Sequence, residues 1–216
     1  MNRLLKKIQK YKAVSFDVFD TLVERKVTLP QDIFQLAGEN ILGKEKASSF
    51  VSDRMEAERS AREKSATGEV TIYDIYAVLK GKYSTSADSL QEEEIRLELD
   101  NCIPKTSMVE PYRSAVDNGK SVYIISDMYL PSEVIGQILK KNGFAGYKKL
   151  FVSNEYGCDK RSGKLFTKVL SELGISNKDL LHIGDSIGAD YLGAKKAGVK
   201  AVLIRRKNRL KRMLCK

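Results

Sequence analysis

The stretch VSFDVFDTLV, residues 14–23, runs apolar and β-branched into two aspartates, Asp17 and Asp20. An acid at the end of such a run marks a buried strand that finishes at a polar edge. Four further short apolar runs follow: SVYIIS (121–126), KLFVS (149–153), LLHIGD (180–185) and VKAVLI (199–204). With AVSFDVF (13–19) they read as five strands buried on both faces, as parallel strands are. Helical patterns lie between the later runs, at 130–143, 162–174 and 189–198, closing on Gly143, Gly174 and Gly198. The expected fold is α/β, a doubly wound, parallel, five-stranded Rossmann-like core.

The first two strands are set apart by about 80 residues with a different texture. Residues 23–104 hold DIFQLAGENIL, FVSDRMEAERSAREKS, TIYDIYAVLK and SLQEEEIRLELDN, with KGKYSTSAD (80–88) as a loop among them. This block is expected to be an all-helical cap subdomain. Residues 1–22 and 105–216 then make the core.

At 216 residues, 42% hydrophobic and 31% charged, the chain suits an ordinary globular protein. Its net charge of +10 sits at the ends. Residues 1–12 carry five Lys/Arg and residues 205–216 carry seven, leaving 26 basic against 28 acidic residues between them. A nucleic-acid partner is therefore disfavoured, and no aromatic residues interleave with the C-terminal basic run. In the N-terminal segment Leu4, Leu5, Ile8 and Tyr11 share one helical face. That face either packs on the domain or, with the basic ends, makes weak contact with a membrane surface or an acidic partner. Cys102, Cys158 and Cys215 have no metal-type spacing and suit free thiols, no run approaches a membrane span, and no secretory signal is visible. A cytoplasmic location is expected.

In a doubly wound sheet, ligands bind beyond the carboxyl ends of the strands. Those ends here are Asp17, Ser126, Ser153 and Asp185; Lys160 follows the third strand, and GDSIGAD (184–190) adds Asp190. Carboxylates, a hydroxyl and a lysine on one rim call for a cation and an anion together. Hard carboxylate oxygens suit Mg²⁺ with a phosphate.

These motifs resemble those of the haloacid dehalogenase-like hydrolases. Asp-x-x-x-Thr matches Asp17 and Thr21, the second-strand hydroxyl matches Ser126, the lysine matches Lys160 with Phe166 six residues on, and the acidic motif matches GDSIGAD. SDMYL and SFDVFDTL are also similar to a subgroup found with bacterial surface-polysaccharide genes. The resemblance implies a phosphatase acting through an aspartyl-phosphate on Asp17. It implies phosphate contacts from Thr21, Ser126, Asp127 and Lys160. It places Mg²⁺ at Asp17, Phe19, Asp185 and Asp190, the last as ligand or behind the ligands. The implied substrate is a small phosphorylated metabolite such as a sugar, a polyol or a related biosynthetic intermediate. A cap of this size argues against phosphoprotein substrates.

One position departs from the pattern. The residue two after the nucleophile, usually a second Asp serving as acid/base, is Phe19. Asp20, the substrate or a cap residue would have to supply the proton, with Asp20 slightly favoured; otherwise catalysis is weak. Halide-displacing members also lack that second Asp, but they generally lack the acidic metal motif retained here, so phosphoryl chemistry is preferred. A non-catalytic scaffold on the same fold, or a phosphotransferase, is the alternative. Arg54, Glu58 and Arg62, at i, i+4 and i+8, read either as a solvated ion-pair ladder or as a cap face turned to the substrate, with Arg54 and Glu58 as its contacts. His182, the single histidine, is expected to be structural, and Ser153 to cap a loop.

Overall fold

The VSF of the first apolar run lies in the middle strand of the molecule. In this computed structural model, which describes residues 3–205, β1 (Ala13–Phe16) is hydrogen-bonded on one side to β4 (Ser121–Ser126) and on the other to β6 (Leu180–Gly184). β5 (Lys149–Val152) extends the first side and β7 (Lys200–Leu203) the second, and all the pairings are parallel. The order β5-β4-β1-β6-β7 reverses direction beside β1. That reversal opens a crevice at the carboxyl ends of β1, β4 and β6.

Side chains alternate across the sheet as the pleat requires. Val14, Phe16, Val122, Ile124, Leu181 and Ile183 belong to one buried cluster. They pack with residues of α1 (Arg3–Ile8), α6 (Thr106–Asp117) and α7 (Ser132–Lys141). Ala13, Tyr123, Ile125, Phe151 and Leu180 belong to the other cluster, with α9 (Lys164–Leu173) and α10 (Ala194–Lys196). Leu5 and Ile8 are buried, so the apolar face of the N-terminal helix is used in packing on the domain. Most of the C-terminal basic run, and Cys215, lie outside the described residues. Cys102 and Cys158 are buried thiols without a disulfide.

Between β1 and β4 stands the helical cap: α2 (Asp32–Leu42), α3 (Lys44–Lys64), α4 (Ile72–Tyr83) and α5 (Ala87–Asn101). Thr71 and Asp74 close a reciprocal capping box at the start of α4. The expectation of an all-helical insert needs one correction. β2 (Val23–Arg25) and β3 (Cys102–Pro104) pair antiparallel at its base, bringing Arg25 opposite Cys102. Further links tie cap to core: Ile72 N–H donates to the Tyr129 carbonyl at 2.8 Å, and Lys141 Nζ reaches Asp100 Oδ1 at 2.9 Å.

Five features differ from the sequence reading. β1 stops at Phe16 because the N–H groups of Thr21, Leu22 and Val23 all turn back to the Val18 carbonyl. The loop set at 80–88 shrinks to three residues between α4 and α5. α6 had no counterpart; Pro111 sits inside it. The helix placed at 189–198 is a π-helical segment, Ile187–Gly193, followed by α10. A short helix, α8 (Ser153–Tyr156), follows β5 directly.

Candidate active site

Asp17 lies one residue beyond β1, its N–H bonded to the Ile183 carbonyl of the neighbouring strand at 2.9 Å. Asp185 follows β6, and Asp190 projects from the π-helical segment; such segments recur at functional sites. Ligand atoms of these three buried carboxylates lie within 4.8 Å of one another. Two glycines make the approach feasible. A Cβ on Gly184 would overlap the Asp190 carboxylate, and one on Gly193 would overlap the carbonyl of Lys160.

Lys160 is buried at the centre, with Nζ 2.6 Å from Asp17 Oδ1 and 2.6 Å from Asp190 Oδ1. Burial opposes its charge, but Asp17 and Asp190 outweigh burial and hold its proton firmly. The two carboxylates are driven apart. Burial pushes Asp17 up, and Asp190 and Asp185 add to this against the pull of Lys160. Burial also works on Asp190, yet Lys160 and His182 together hold it well below the usual carboxylate range. Its Oδ2 accepts from the Ser186 N–H at 2.8 Å.

His182 is wholly buried behind these carboxylates. Its Nε2 is 3.1 Å from Asp190 Oδ1, its Nδ1 is 2.9 Å from Ser15 Oγ, and the Phe166 ring meets it edge-on. Burial lowers its pKa.

The remaining rim residues divide by what their polar atoms do. Ser126 Oγ is buried at the end of β4 with no hydrogen-bond partner among the described residues. An unpartnered buried hydroxyl is costly and points to a ligand. The buried Thr21 hydroxyl donates to Asp185 Oδ1 at 3.5 Å. Asp127 accepts from the Lys160 N–H at 2.9 Å, fixing the lysine loop, and burial raises its pKa to about 6. Ser153 is more than a cap: its hydroxyl accepts from the Met128 N–H and donates to Glu69 of the cap at 2.5 Å.

A cavity of about 880 Å³ opens over this cluster, lined on the core side by Asp17, Phe19, Asp20, Asp127, Lys160, Asp185 and Asp190. Phe19 can offer a metal only its main-chain oxygen; its ring forms wall. Asp20 has φ 60°, the one positive φ outside glycine among the described residues, and its carbonyl accepts from Lys105 Nζ at 2.7 Å. Backbone held in this region clusters at functional sites.

On the cap side the sequence reading is partly corrected. Glu58 lines the cavity, but Arg54 does not. The Arg54 side chain is 0% exposed, forked onto Glu94 with both contacts at 2.8 Å, and its Nη1 reaches Glu58 at 3.1 Å. The ladder is therefore interior at Arg54 and opens to the cavity at Glu58 and Arg62. Unforeseen in the wall were Arg25, Phe34, Met55 and Tyr129. Arg25 gives no periodic signal, because its strand is three residues long.

Compared with protein-family models, residues 11–198 match the haloacid dehalogenase-like hydrolases. Over 60 residues the chain is 32% identical to a glyceraldehyde 3-phosphate phosphatase of Methanopyrus kandleri, a match covering 28% of this chain and 26% of that enzyme. The chain thus spans about a quarter of that curated relative. Among solved structures, the magnesium-bound HAD-hydrolase YfnB of Bacillus subtilis superposes with a TM-score of 0.62 at 20% identity, over 95% of this chain and 97% of that one. A HAD phosphatase from Thermococcus onnurineus gives 0.65 at 18%, over 91% and 87%. A 2-haloacid dehalogenase from Pseudomonas syringae gives 0.63 at 18%, over 95% and 98%. At these identities the likeness shows the fold.

Proposed function

Because the chain belongs to the haloacid dehalogenase-like hydrolases, we propose that it is a Mg²⁺-dependent phosphatase that cleaves a small phosphate monoester through a phosphorylated Asp17. The observation that carries this reading is the buried cluster of Asp17, Asp185 and Asp190 around Lys160. Three carboxylates face one ammonium, and oxygen-only donors suit a hard divalent cation. Asp17 and Asp185 would hold Mg²⁺, with the Phe19 carbonyl beside them and Asp190 behind, since both Asp190 oxygens already have partners. The ion would supply positive charge between carboxylate and phosphate dianion.

Asp17 attacks phosphorus, and water then hydrolyses the aspartyl-phosphate, dividing one difficult displacement into two. Lys160 and the unpartnered Ser126 hydroxyl hold phosphate oxygens. For Asp127 the carboxylate is committed to the lysine loop, so its main-chain N–H is what it offers a phosphate. Glu58 of the cap and Asp20 line the same cavity. The roofed cavity suits a small metabolite, such as a phosphorylated sugar or biosynthetic intermediate of surface polysaccharide synthesis, over a protein chain. Free buried thiols fit a reducing, cytoplasmic setting. The match to a glyceraldehyde 3-phosphate phosphatase supports phosphoryl chemistry.

The test is phosphate release from an aryl phosphate with Mg²⁺, lost in Asp17→Asn. Phe19 favours a second reading, a non-catalytic binding protein, which no Asp17-dependent turnover on a broad panel of phosphate esters would establish.

A further inference from the structure

We propose that Arg25, seated on the ring of Phe19, receives the departing oxygen, and that the substrate carries its phosphoryl group on an acidic oxygen, that of a carboxylate or of a second phosphate. This rests on the phosphatase reading and puts a phosphoric anhydride in place of the monoester.

The guanidinium carbon of Arg25 lies 4.4 Å from the centroid of the Phe19 ring, and both residues line the cavity that holds Asp17 and Lys160. Nε and Nη2 of Arg25 fork onto Glu98 at 2.9 and 2.8 Å. The two side chains are 7% and 1% exposed. Nη1 has no hydrogen-bond partner among the described residues, so it is the nitrogen left for a ligand. A fork this deeply buried fixes a cation in the wall without conformational freedom, as catalysis by charge requires.

The Arg25–Phe19 pair stabilises negative charge but gives no proton. Phe19 has none, and arginine does not deprotonate in proteins. In the step, an Asp17 oxygen bonds to phosphorus as the bond from phosphorus to the leaving oxygen breaks. The electron pair stays on that oxygen, which departs as an anion beside Arg25. Water then attacks phosphorus, the Asp17–phosphate bond breaks, the carboxylate reforms and the protons pass to solvent. A carboxylate or phosphate leaves readily as an anion, its acid titrating near ~4 or ~6. An alkoxide, whose acid is about as weak as water at ~15.7, does not.

The experiment compares kcat/KM of the full chain with Mg²⁺ on acetyl phosphate, pyrophosphate and glycerol 3-phosphate. The first two are expected to exceed the third by roughly 10²-fold or more, the worth of a missing general acid. Phe19→Asp should raise glycerol 3-phosphate turnover at least about tenfold toward that limit. Arg25→Met should lower kcat on acetyl phosphate by about 10²-fold, as loss of one charge-stabilising donor does, with partial rescue in Arg25→Lys. The wild-type series and Phe19→Asp decide the matter even if Arg25→Met fails to fold. Glycerol 3-phosphate within about tenfold of acetyl phosphate overturns the proposal, as does Asp20→Asn slowing the alkyl ester alone, which makes Asp20 the acid. Turnover of none of the three nor of a broad panel of phosphate esters, or turnover indifferent to Asp17→Asn, refutes the phosphatase reading itself.

Discussion

Replacing Glu94 by alanine should strip the cap of its central counter-ion. Glu94 is wholly buried, accepts two hydrogen bonds from Arg54 at 2.8 Å and a third from the Tyr76 hydroxyl at 2.8 Å. Breaking a buried pair by removing one partner costs roughly 3–5 kcal/mol, because the other charge is stranded. Arg54 keeps Glu58 at 3.1 Å, and Tyr76 keeps the Leu90 carbonyl at 3.2 Å. The lower end, about 3 kcal/mol, is therefore the expected loss. For a chain of this length that is a fall in Tm of roughly 6–12 °C. Thermal and urea denaturation measure it. The double variant Arg54→Met, Glu94→Leu removes both charges and should lie far closer to wild type than Glu94→Ala does, a coupling on the order of 2 kcal/mol or more. Function should follow, because the Arg54 guanidinium stacks 4.4 Å from the Phe34 ring and 4.8 Å from Tyr129, two walls of the cavity. KM should rise in Glu94→Ala more than kcat falls. A Tm within about 2 °C of wild type, about 1 kcal/mol or less, would refute the reasoning, as would a double variant that sums the two singles.

Three further outcomes follow from the same geometry. His182→Leu removes the bond that orients Asp190 and should weaken Mg²⁺ binding by roughly 10–100-fold, read by titrating activity against the ion; unchanged affinity would make His182 mere packing. Asp53, partly exposed, is pushed up by what burial it has, but Lys82 Nζ at 2.6 Å and Tyr83 at 2.5 Å bring it below its ordinary value. Its contribution is thus present above its unfolded pKa of ~3.9 and lost as pH falls through the lower folded value, so Asp53→Asn should cost about 0.2–1 kcal/mol at pH 7 and nothing in strong acid. Inorganic phosphate should raise Tm only with Mg²⁺ present, by roughly 5–11 °C (~2.7 kcal/mol) at a hundredfold excess over its Kd; equal protection after chelation would separate the anion site from the carboxylate cluster.

The central sheet was legible because parallel strands buried on both faces appear as apolar runs, and their polar last residues name the rim. Asp17, Asp185, Asp190, Lys160 and Ser126 could all be found from that rule and from spacing within single loops. What escaped depends on partners far along the chain. The burial of Arg54 is decided by Glu94, 40 residues away on another helix, so its i, i+4, i+8 ladder looked solvated from within α3. Arg25 owes its place to Glu98, 73 residues on, and to a ribbon of two three-residue strands, too short for periodicity to register. Pro111 hid α6, since a proline reads as a breaker although this one is tolerated inside the helix. The π-helical turn was invisible because a seven-residue segment is too short for its wider i→i+5 spacing to register as a separate period.

The division of labour between two neighbouring carboxylates follows from their surroundings alone. Asp190 has Lys160, His182 and the Ser186 N–H, three partners that all favour its anion. Asp17 shares the same lysine but takes the burial penalty and the repulsion of both other acids. Environments that push two titratable groups apart assign them different roles. Asp190 is the stable anchor that fixes Lys160. Asp17 is the carboxylate whose charge Lys160 only partly offsets, so a cation placed beside it gains most there. On the proposed chemistry, that deficit suits Asp17, and not Asp190, to the attack on phosphorus. Exchanging the two surroundings would give a well-held anion at the mouth of the cavity and a reactive one buried behind the lysine, with no route to phosphorus.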